Sequence, residues 1–246
     1  MTRYQILLEY VGTSYNGWQL QKNGLSVQKC VQLALSKLLK EKIIVFGAGR
    51  TDSGVHAIEQ SAHFDLKNKI LNTSTLIKSL NFFLNKKNIS IKKIIKKTFK
   101  FHARHSAKKR SYIYLIRNNL SQSVINYNRE WHIINNLDLN SMKIGAKKLV
   151  GTHNFSTFRA SNCNSNSPVK TIYKIKISKN KSLIKINFIS QSFLKSQVRS
   201  MVGCLKYLGE KKWSLKKFTE VFKSKKRTLC AAPAPSHGLF LEKVIY

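Results

Sequence analysis

The chain has 246 residues, 42% of them hydrophobic, so it can bury one large core or two smaller ones, and this excludes a disordered tail. Lys and Arg number 45 against 10 Asp and Glu, and the net charge of +35 indicates a polyanionic partner, most simply nucleic acid. A solvated basic surface, enriched in Lys by an AT-rich genome, is the alternative that charge alone leaves open.

The charge is spread unevenly along the chain. No Asp or Glu occurs between Asp65 and Glu130, nor between Asp138 and Glu210. We expect these two stretches to form continuous positive surface. A protein that neutralises ~6–10 phosphates in this way binds nucleic acid with a steep dependence on salt.

Cysteine usage and the chain start bear on the compartment. The cysteines, Cys30, Cys163, Cys204 and Cys230, show no C-x-x-C spacing, so neither a zinc site nor a disulfide framework is expected. Cys30 and Cys204 are predicted to lie in the core. The N-terminus leads into a predicted strand without a signal peptide, and no apolar run approaches the ~18 residues of a membrane span. We expect a reduced, cytoplasmic protein with no membrane association.

The first half of the chain alternates between strand and helix patterns. Strands are predicted at 4–11, 43–45, 60–66 and 89–99, and helices at 26–40 and 74–85. The isoleucines of 89–99 fit a helix nearly as well, and their β-branched content decides for a strand. The order β-α-β-β-α-β is that of a ferredoxin-like domain, which RNA-recognition domains also use.

Two glycine-rich loops interrupt this pattern. In the loop at 12–19, Tyr15 and Trp18 either stack on bases or form a hydrophobic lid, and the lid is favoured because aromatic side chains pack more often than they bind. The loop at 46–56 reads F-G-A-G-R-T-D-S-G-V-H and holds Arg50 and Asp52, one of only three Asp in the chain.

The second of these loops has two interpretations. A carboxylate held beside a guanidinium in a flexible turn stays ionised and accessible, which suits a nucleophile or a base. The alternative is a tight turn in which Arg50 and Asp52 cap backbone groups. The residue types alone do not decide between the two.

The loop at 46–56 resembles the catalytic loop of the tRNA pseudouridine synthase A family, G-A-G-R-T-D-x-G-V-H, with Ser53 where many members have Ala. The loop at 12–19 follows the pattern Y-x-G-T-x-Y-x-G-W-Q and resembles the same family. The resemblance implies that Asp52 is the nucleophile, and that Arg50 takes the space vacated when the target uridine leaves its stack.

The cationic stretch 100–110 is predicted to cross between two halves, either as one wall of a nucleic-acid channel or as a solvated linker, and neighbouring aromatics favour the channel. His102 and His105 have no third ligand nearby, so no metal is expected.

The same stretch resembles the family pattern F-x-A-R-x-S-A-x-x-R-x-Y, in which Arg104 and Arg110 occupy the two arginine positions. The pattern makes Tyr112 the tyrosine that packs on the target uracil. Without the resemblance, Tyr112 would be a core-lining residue of the predicted strand 111–116.

The second half repeats the alternation. Strands are predicted at 111–116, 170–178, 182–190 and 238–246, and helices at 138–150, 193–208 and 214–224. Asp138 caps the first helix and Gly151 ends it. Arg159, in F-S-T-F-R, resembles a further family signature and is predicted to bind phosphate. His237 either approaches the active site or is a surface turn residue.

Arg199 lies beside the buried stripe of the predicted helix 193–208, where a charge needs a partner, and Asp52 is the partner that we expect. The sequence F-L-x-x-x-V-R-x-M-V-G resembles the family motif whose arginine pairs with the catalytic aspartate. Lys195 and Ser196 depart from the residues that many members carry there.

Together these segments predict an α+β protein with two ferredoxin-like halves, 1–105 and 106–246. The family resemblance implies mainly antiparallel sheets that join, helices on one face and a basic catalytic cleft between the halves. It also implies a homodimer that converts uridines 38 to 40 in the anticodon arm of tRNA to pseudouridine without a cofactor. Whether Asp52 attacks C1′ of the ribose or C6 of the uracil stays open.

Two other functions compete with this one. A non-catalytic RNA-binding protein fits the charge and the halves but leaves Asp52 and Arg199 unexplained. A phosphoryl-transferring enzyme with Asp52 as nucleophile lacks the second carboxylate that its Mg²⁺ site generally needs.

Overall fold

The computed structural model describes residues 1–246, which divide into two compact units. Residues 1–108 and 240–246 form the first unit, and residues 109–239 form the second. The predicted halves divide the chain once, between residues 105 and 106. The first unit ends at residue 108 and also includes residues 240–246, which contain most of the last strand.

The first unit contains two helices and a sheet that is mainly antiparallel. Its elements are β1 (Thr2–Tyr10), α1 (Val27–Leu39), β2 (Phe46–Gly47), β3 (His56–Leu66), α2 (Thr73–Leu84), β4 (Ile89–Lys97) and β10 (Leu239–Ile245). The strands are ordered β4-β1-β3-β10, and β2 pairs with β3 at its other end. β1 is antiparallel to both neighbours, whereas β10 runs parallel to β3.

Local sequence signals account for these elements. The side chain of Ser26 caps α1 by accepting from the backbone N–H of Lys29, as predicted. Alternate residues of β1 from Tyr4 to Tyr10 are fully buried, because one face of the sheet packs against the core. The ambiguous segment 89–99 forms β4, so its prediction as a strand is confirmed.

The second unit contains three helices and a further antiparallel sheet. Its elements are β5 (Lys109–Asn118), β6 (Trp131–Ile133), α3 (Leu139–Lys148), β7 (Gly151–Asn154), β8 (Val169–Asn180), β9 (Leu183–Ser190), α4 (Gln197–Gly209) and α5 (Leu215–Lys223). The strands are ordered β5-β9-β8-β7, and β6 lies parallel to β5. The predicted α+β class with two halves is confirmed.

One predicted element is wrong, and a second is confirmed as a helix but begins later than predicted. Residues 43–45 form no strand, because side chains of α1 bind their backbone: Gln28 Nε2 donates to the carbonyl of Val45, and Gln32 Oε1 accepts from its N–H. The helix predicted from residue 193 begins only at Gln197, since Ser196 adopts a left-handed conformation with φ of 60°.

The helix predicted to end at Gly151 stops earlier, and two short strands were missed. α3 ends at Lys148, so Val150 is exposed instead of buried, and Gly151 begins β7. β6 and β7 are only three and four residues long, too short to show a period.

Candidate active site

Asp52 lies in the loop between β2 and β3, and we call residues 48–55 the aspartate loop. The first residues of this loop, Ala48 and Gly49, are held to β3 by hydrogen bonds. The backbone N–H of Ala48 donates to the carbonyl of Ser61 over 2.8 Å, and Gln60 Nε2 donates to the carbonyl of Gly49 over 3.0 Å. The side chains of Ala48 and Gln60 are fully buried, so these contacts are shielded from water.

The centre of the aspartate loop is fastened to the loop that follows β1. The carbonyl of Thr51, the residue before Asp52, accepts from the N–H of Trp18 over 3.2 Å. The hydroxyl of Thr51 lies 2.8 Å from the hydroxyl of Tyr10, and both groups are buried. The backbone before Asp52 is therefore held by one main-chain and one side-chain bond.

The residues after Asp52 are held in the same way. The carbonyl of Tyr15 accepts from the N–H of Gly54 over 3.3 Å and from the hydroxyl of Ser53 over 3.1 Å. The N–H of Val55 returns to the carbonyl of Asp52 over 3.2 Å and closes the turn. Gly54 has φ of +76°, a conformation that glycine adopts at little cost.

Two glycines allow the post-β1 loop to approach this closely. A Cβ atom added to Gly12 would lie 2.0 Å from the carbonyl oxygen of Val55, and one added to Gly17 would lie 2.4 Å from that of Thr51. Gly17 also has φ of +93°. The prediction that Tyr15 and Trp18 pack is confirmed, since their exposures are 3% and 1%.

Asp52 itself is half-buried and Arg50 is exposed. The carboxylate thus stands on a backbone that is fixed on both sides, while the neighbouring guanidinium reaches solvent. Main-chain bonds close the turn, and the role of Asp52 as a nucleophile stays a prediction.

Histidines that the sequence analysis did not assign support the site from β3. His56 is buried, its Nδ1 accepts from the N–H of Gly12 over 2.9 Å, and its ring stacks on Phe240 at 4.6 Å. His63 Nδ1 accepts from the N–H of Ala103 over 3.2 Å. Burial, followed by the charge of Arg3, lowers the pKa of His63 to about 4, so its ring is neutral at pH 7.

Ala103 belongs to the turn that carries Arg104. The N–H of Arg104 donates to Nδ1 of His102 over 3.1 Å, and the Arg104 side chain is exposed. The turn therefore presents a cation from a backbone anchored to β3. No three His, Cys, Asp or Glu side chains are grouped so that they form a metal site.

Three of the predicted site residues belong to β5 and α4 of the second unit. Arg110 Nη1 donates to the carbonyl of Gln191 over 2.5 Å. Tyr112 is 8% exposed and meets Phe193 edge-on at 5.3 Å. Arg199 Nε donates to the carbonyl of Ala234 over 2.7 Å.

The backbone around Arg199 is tied to the same segment. The carbonyl of Arg199 accepts from the N–H of Ala234 over 3.0 Å, so the two residues exchange bonds in both directions. His237 follows in this segment and is half-buried, and burial together with the charge of Arg199 lowers its pKa. Whether His237 approaches the active site or is a surface turn residue stays open.

Arg159 has a local role that the sequence did not reveal. Its Nη2 donates to the carbonyls of Cys163 and Ser165, over 2.6 and 2.7 Å, and so fastens the polar loop that follows. Its role as a phosphate ligand stays a prediction. The structure thus joins Arg50 and Asp52 in one loop of the first unit, whereas Arg199 belongs to the second unit and its pairing with Asp52 stays a prediction.

Comparison with known proteins bears on the whole chain. The family model described as tRNA pseudouridine synthase matches residues 6–106 and 146–246. The tRNA pseudouridine synthase A of Pelagibacter ubique (strain HTCC1062) is 60% identical over 246 residues, with each chain covered completely. That of Ehrlichia chaffeensis (strain ATCC CRL-10679 / Arkansas) is 41% identical over 245 residues, covering 99% of this chain and 100% of the relative. No helix here is both long and apolar enough to cross a membrane. The chain belongs to the tRNA pseudouridine synthase A family.

Proposed function

We propose that this chain isomerises uridine to pseudouridine in tRNA, with the Asp52 carboxylate as the nucleophile. Pseudouridine has the same atoms as uridine, but C1′ of the ribose is joined to C5 of the base instead of N1. The reaction breaks one glycosidic bond, turns the uracil and forms one carbon–carbon bond. It needs no redox change and no group donor, so no cofactor is expected.

The observation that carries this proposal is the fixed backbone on both sides of Asp52. The carbonyl before it is held by Trp18, and the two residues after it are held by the carbonyl of Tyr15. A nucleophile that is positioned before the substrate arrives avoids much of the entropic cost of a bimolecular attack.

The family resemblance supplies the remaining roles. Asp52 attacks C1′ of the ribose or C6 of the uracil, and Arg199 keeps it ionised through a charge-assisted bond. Tyr112 stacks on the uracil and takes part in removing the C5 proton after the base is reattached. Arg50, which is exposed, occupies the stack that the uridine has left.

The substrate site and cellular setting are part of the proposal. We propose uridines 38 to 40 of the anticodon arm as targets, a homodimer as the active form, and the cytoplasm as the compartment. Arg104, Arg110 and Arg159 are proposed RNA contacts, supported by the net charge of +35 and by the exposure of Arg104.

The test is tritium release from tRNA that carries 5-³H-uridine, because the C5 hydrogen is lost only when C5 is joined to the ribose. Asp52→Ala and Asp52→Asn should abolish the release and leave tRNA binding within about threefold, since affinity depends mainly on the many cationic side chains that meet the phosphates. Glu59→Ala is the matched control, because it removes the same charge from β3 of the same unit and should leave release intact.

Two results would overturn the proposal. Release that survives in Asp52→Ala would remove Asp52 as the nucleophile. No release by the wild-type chain, on unmodified tRNA that it demonstrably binds, would favour the RNA-binding protein without catalysis.

A further inference from the structure

Two cysteines of the second unit face each other. Cys204, in α4, is 1% exposed, and its Sγ atom lies 3.5 Å from that of Cys230, which directly follows the short 3₁₀ helix Arg227–Leu229. The two thiols are separated by 26 positions along the chain. A disulfide bond is about 2.05 Å long, so the sulfur atoms need to approach by only about 1.5 Å.

The surroundings of Cys230 differ from those of Cys204. Cys230 is half-buried, so a small reagent reaches it first. A hydrogen bond from the Cys204 thiol and the nearby Arg227 guanidinium lower the pKa of Cys230, whereas that same hydrogen bond and burial raise the pKa of Cys204. Arg227 Nη1 is buried and has no hydrogen-bond partner, so its charge is directed inward. A thiolate at Cys230 is the group that this charge favours.

We propose that Cys204 and Cys230 are a redox-active dithiol, which hydrogen peroxide converts to an intramolecular disulfide. The Cys230 thiolate attacks one peroxide oxygen, the O–O bond breaks, and Cys230 becomes a sulfenic acid while hydroxide takes a proton and leaves as water. The Cys204 sulfur then displaces the sulfenic oxygen, which leaves as a second water with the Cys204 proton. Two thiols are oxidised and one hydrogen peroxide is reduced to two waters.

The disulfide would tie α4 to the segment that holds Arg199. Cys230 begins the stretch 230–235, whose Ala234 exchanges two hydrogen bonds with Arg199 on the same helix as Cys204. The cross-link would join the start of this stretch to α4, five positions beyond Arg199. We therefore expect oxidation to slow the exchange of the amide hydrogens of Ala231, Ala232 and Ala234.

The experiment treats the full chain with hydrogen peroxide and measures its mass, with and without a reducing agent. The expected product is lighter by two hydrogen atoms, and its non-reduced peptide map joins Cys204 to Cys230. Cys163→Ala should behave as the wild type, because that thiol lies outside the pair. Cys204→Ala and Cys230→Ala should each prevent the loss of the two hydrogen atoms. If one of these variants folds poorly, the other still provides the test.

The rate supplies an independent readout. Arg227→Ala should raise the pKa of Cys230 and slow the reaction by about threefold for each unit of that rise. The fraction of thiolate falls by more than about threefold, but the thiolate that remains is a stronger nucleophile and partly offsets this loss. Arg227→Lys, which keeps the charge, should restore most of the rate. Added oxygen atoms without a disulfide, a cross-link between chains, or a rate indifferent to Arg227 would overturn the proposal, whatever becomes of the pseudouridine activity.

Discussion

Gly17→Ala tests whether the backbone contact at Thr51 sets the position of Asp52. The carbonyl of Gly17 accepts from the N–H of Val27 at the start of α1, and this bond holds Gly17 to the helix. The new Cβ would lie 2.4 Å from the Thr51 oxygen and 3.1 Å from the carbonyl carbon of Asp52. Because Gly17 is held by α1, the aspartate loop has to move.

The size of the movement follows from the distances. Ordinary contact of a Cβ begins near 3.4 Å, so the Thr51 oxygen, at 2.4 Å, has to retreat by about 1 Å. A misplacement of about 1 Å at a reacting group costs about a hundredfold in rate. The alanine also adopts φ of +93°, which costs about 1–2 kcal/mol of folding free energy.

Gly24→Ala is the matched control for the strain. Gly24 has φ of +88°, but its added Cβ would come closest to the side chain of Asn16, which is exposed and can turn away by giving up one 3.3 Å hydrogen bond to the carbonyl of Asn23. Both variants should lose stability in thermal unfolding through the left-handed backbone, and Gly17→Ala should lose at least as much as Gly24→Ala. In the tritium-release assay, Gly17→Ala should lower kcat about 10- to 100-fold and Gly24→Ala by less than about twofold. A folded Gly17→Ala variant with wild-type kcat, or an equal loss of kcat in both variants, would refute the reasoning.

Two further predictions concern Tyr10 and His63. Tyr10→Phe removes the buried hydroxyl that meets Thr51 and should cost about 1 kcal/mol of unfolding free energy and several-fold in kcat, whereas Tyr4→Phe on the same strand should cost similar stability without the loss of rate. The pKa of His63 is about 4 in the folded chain, below its ordinary value of 6.5. As pH falls from 6.5 to 4, His63 therefore binds a proton in the unfolded chain and stays neutral in the folded chain. The free energy of unfolding measured in urea should fall by at most about 3 kcal/mol across that window through this residue. His63→Gln should flatten the dependence, and the exposed His105→Gln should not; a profile unchanged by His63→Gln would contradict the assignment.

The helices were predictable because their signals are local. Ser26, Asp138 and Ser214 each accept from backbone N–H groups of the first turn, and the apolar residues that follow recur at helical spacing. These features lie within a few residues of one another. No knowledge of the rest of the chain is needed to interpret them.

The errors arose where side chains bond to backbone groups in place of regular structure. Residues 43–45 have the β-branched composition of a strand, yet Gln28, Gln32 and Ser36 of α1 satisfy their backbone groups. Before α4, Gln197 Oε1 accepts from the N–H of Leu194, which buries Leu194 without extending the helix. Side-chain to backbone bonds of this kind leave no periodic signal.

The candidate site, like the fold, could be predicted from the sequence only in part. Its glycines and Asp52 are visible in the sequence, but the partners that fix the aspartate loop are not. Gln60 and Tyr10 reach Gly49 and Thr51 from β3 and β1, which pair side by side with a register shift between Leu8 and Tyr10. Nothing in the composition of those strands distinguishes the two side chains from ordinary sheet residues.

The glycines of the sequence motifs share one physical role, which the two units illustrate independently. In the first unit, Gly12 and Gly17 allow one backbone to touch the aspartate loop. In the second, Gly203 ends the motif that contains Arg199, and a Cβ there would lie 2.2 Å from the carbonyl oxygen of Ala232. A glycine inside a helix costs about 1 kcal/mol relative to alanine, so its place in α4 calls for a compensating contact. That contact brings the 230–235 stretch onto α4, where it bonds Arg199. The backbones that carry Asp52 and Arg199 are therefore positioned by main chain packed on main chain, and the Arg199 guanidinium is also held by the carbonyl of Ala234.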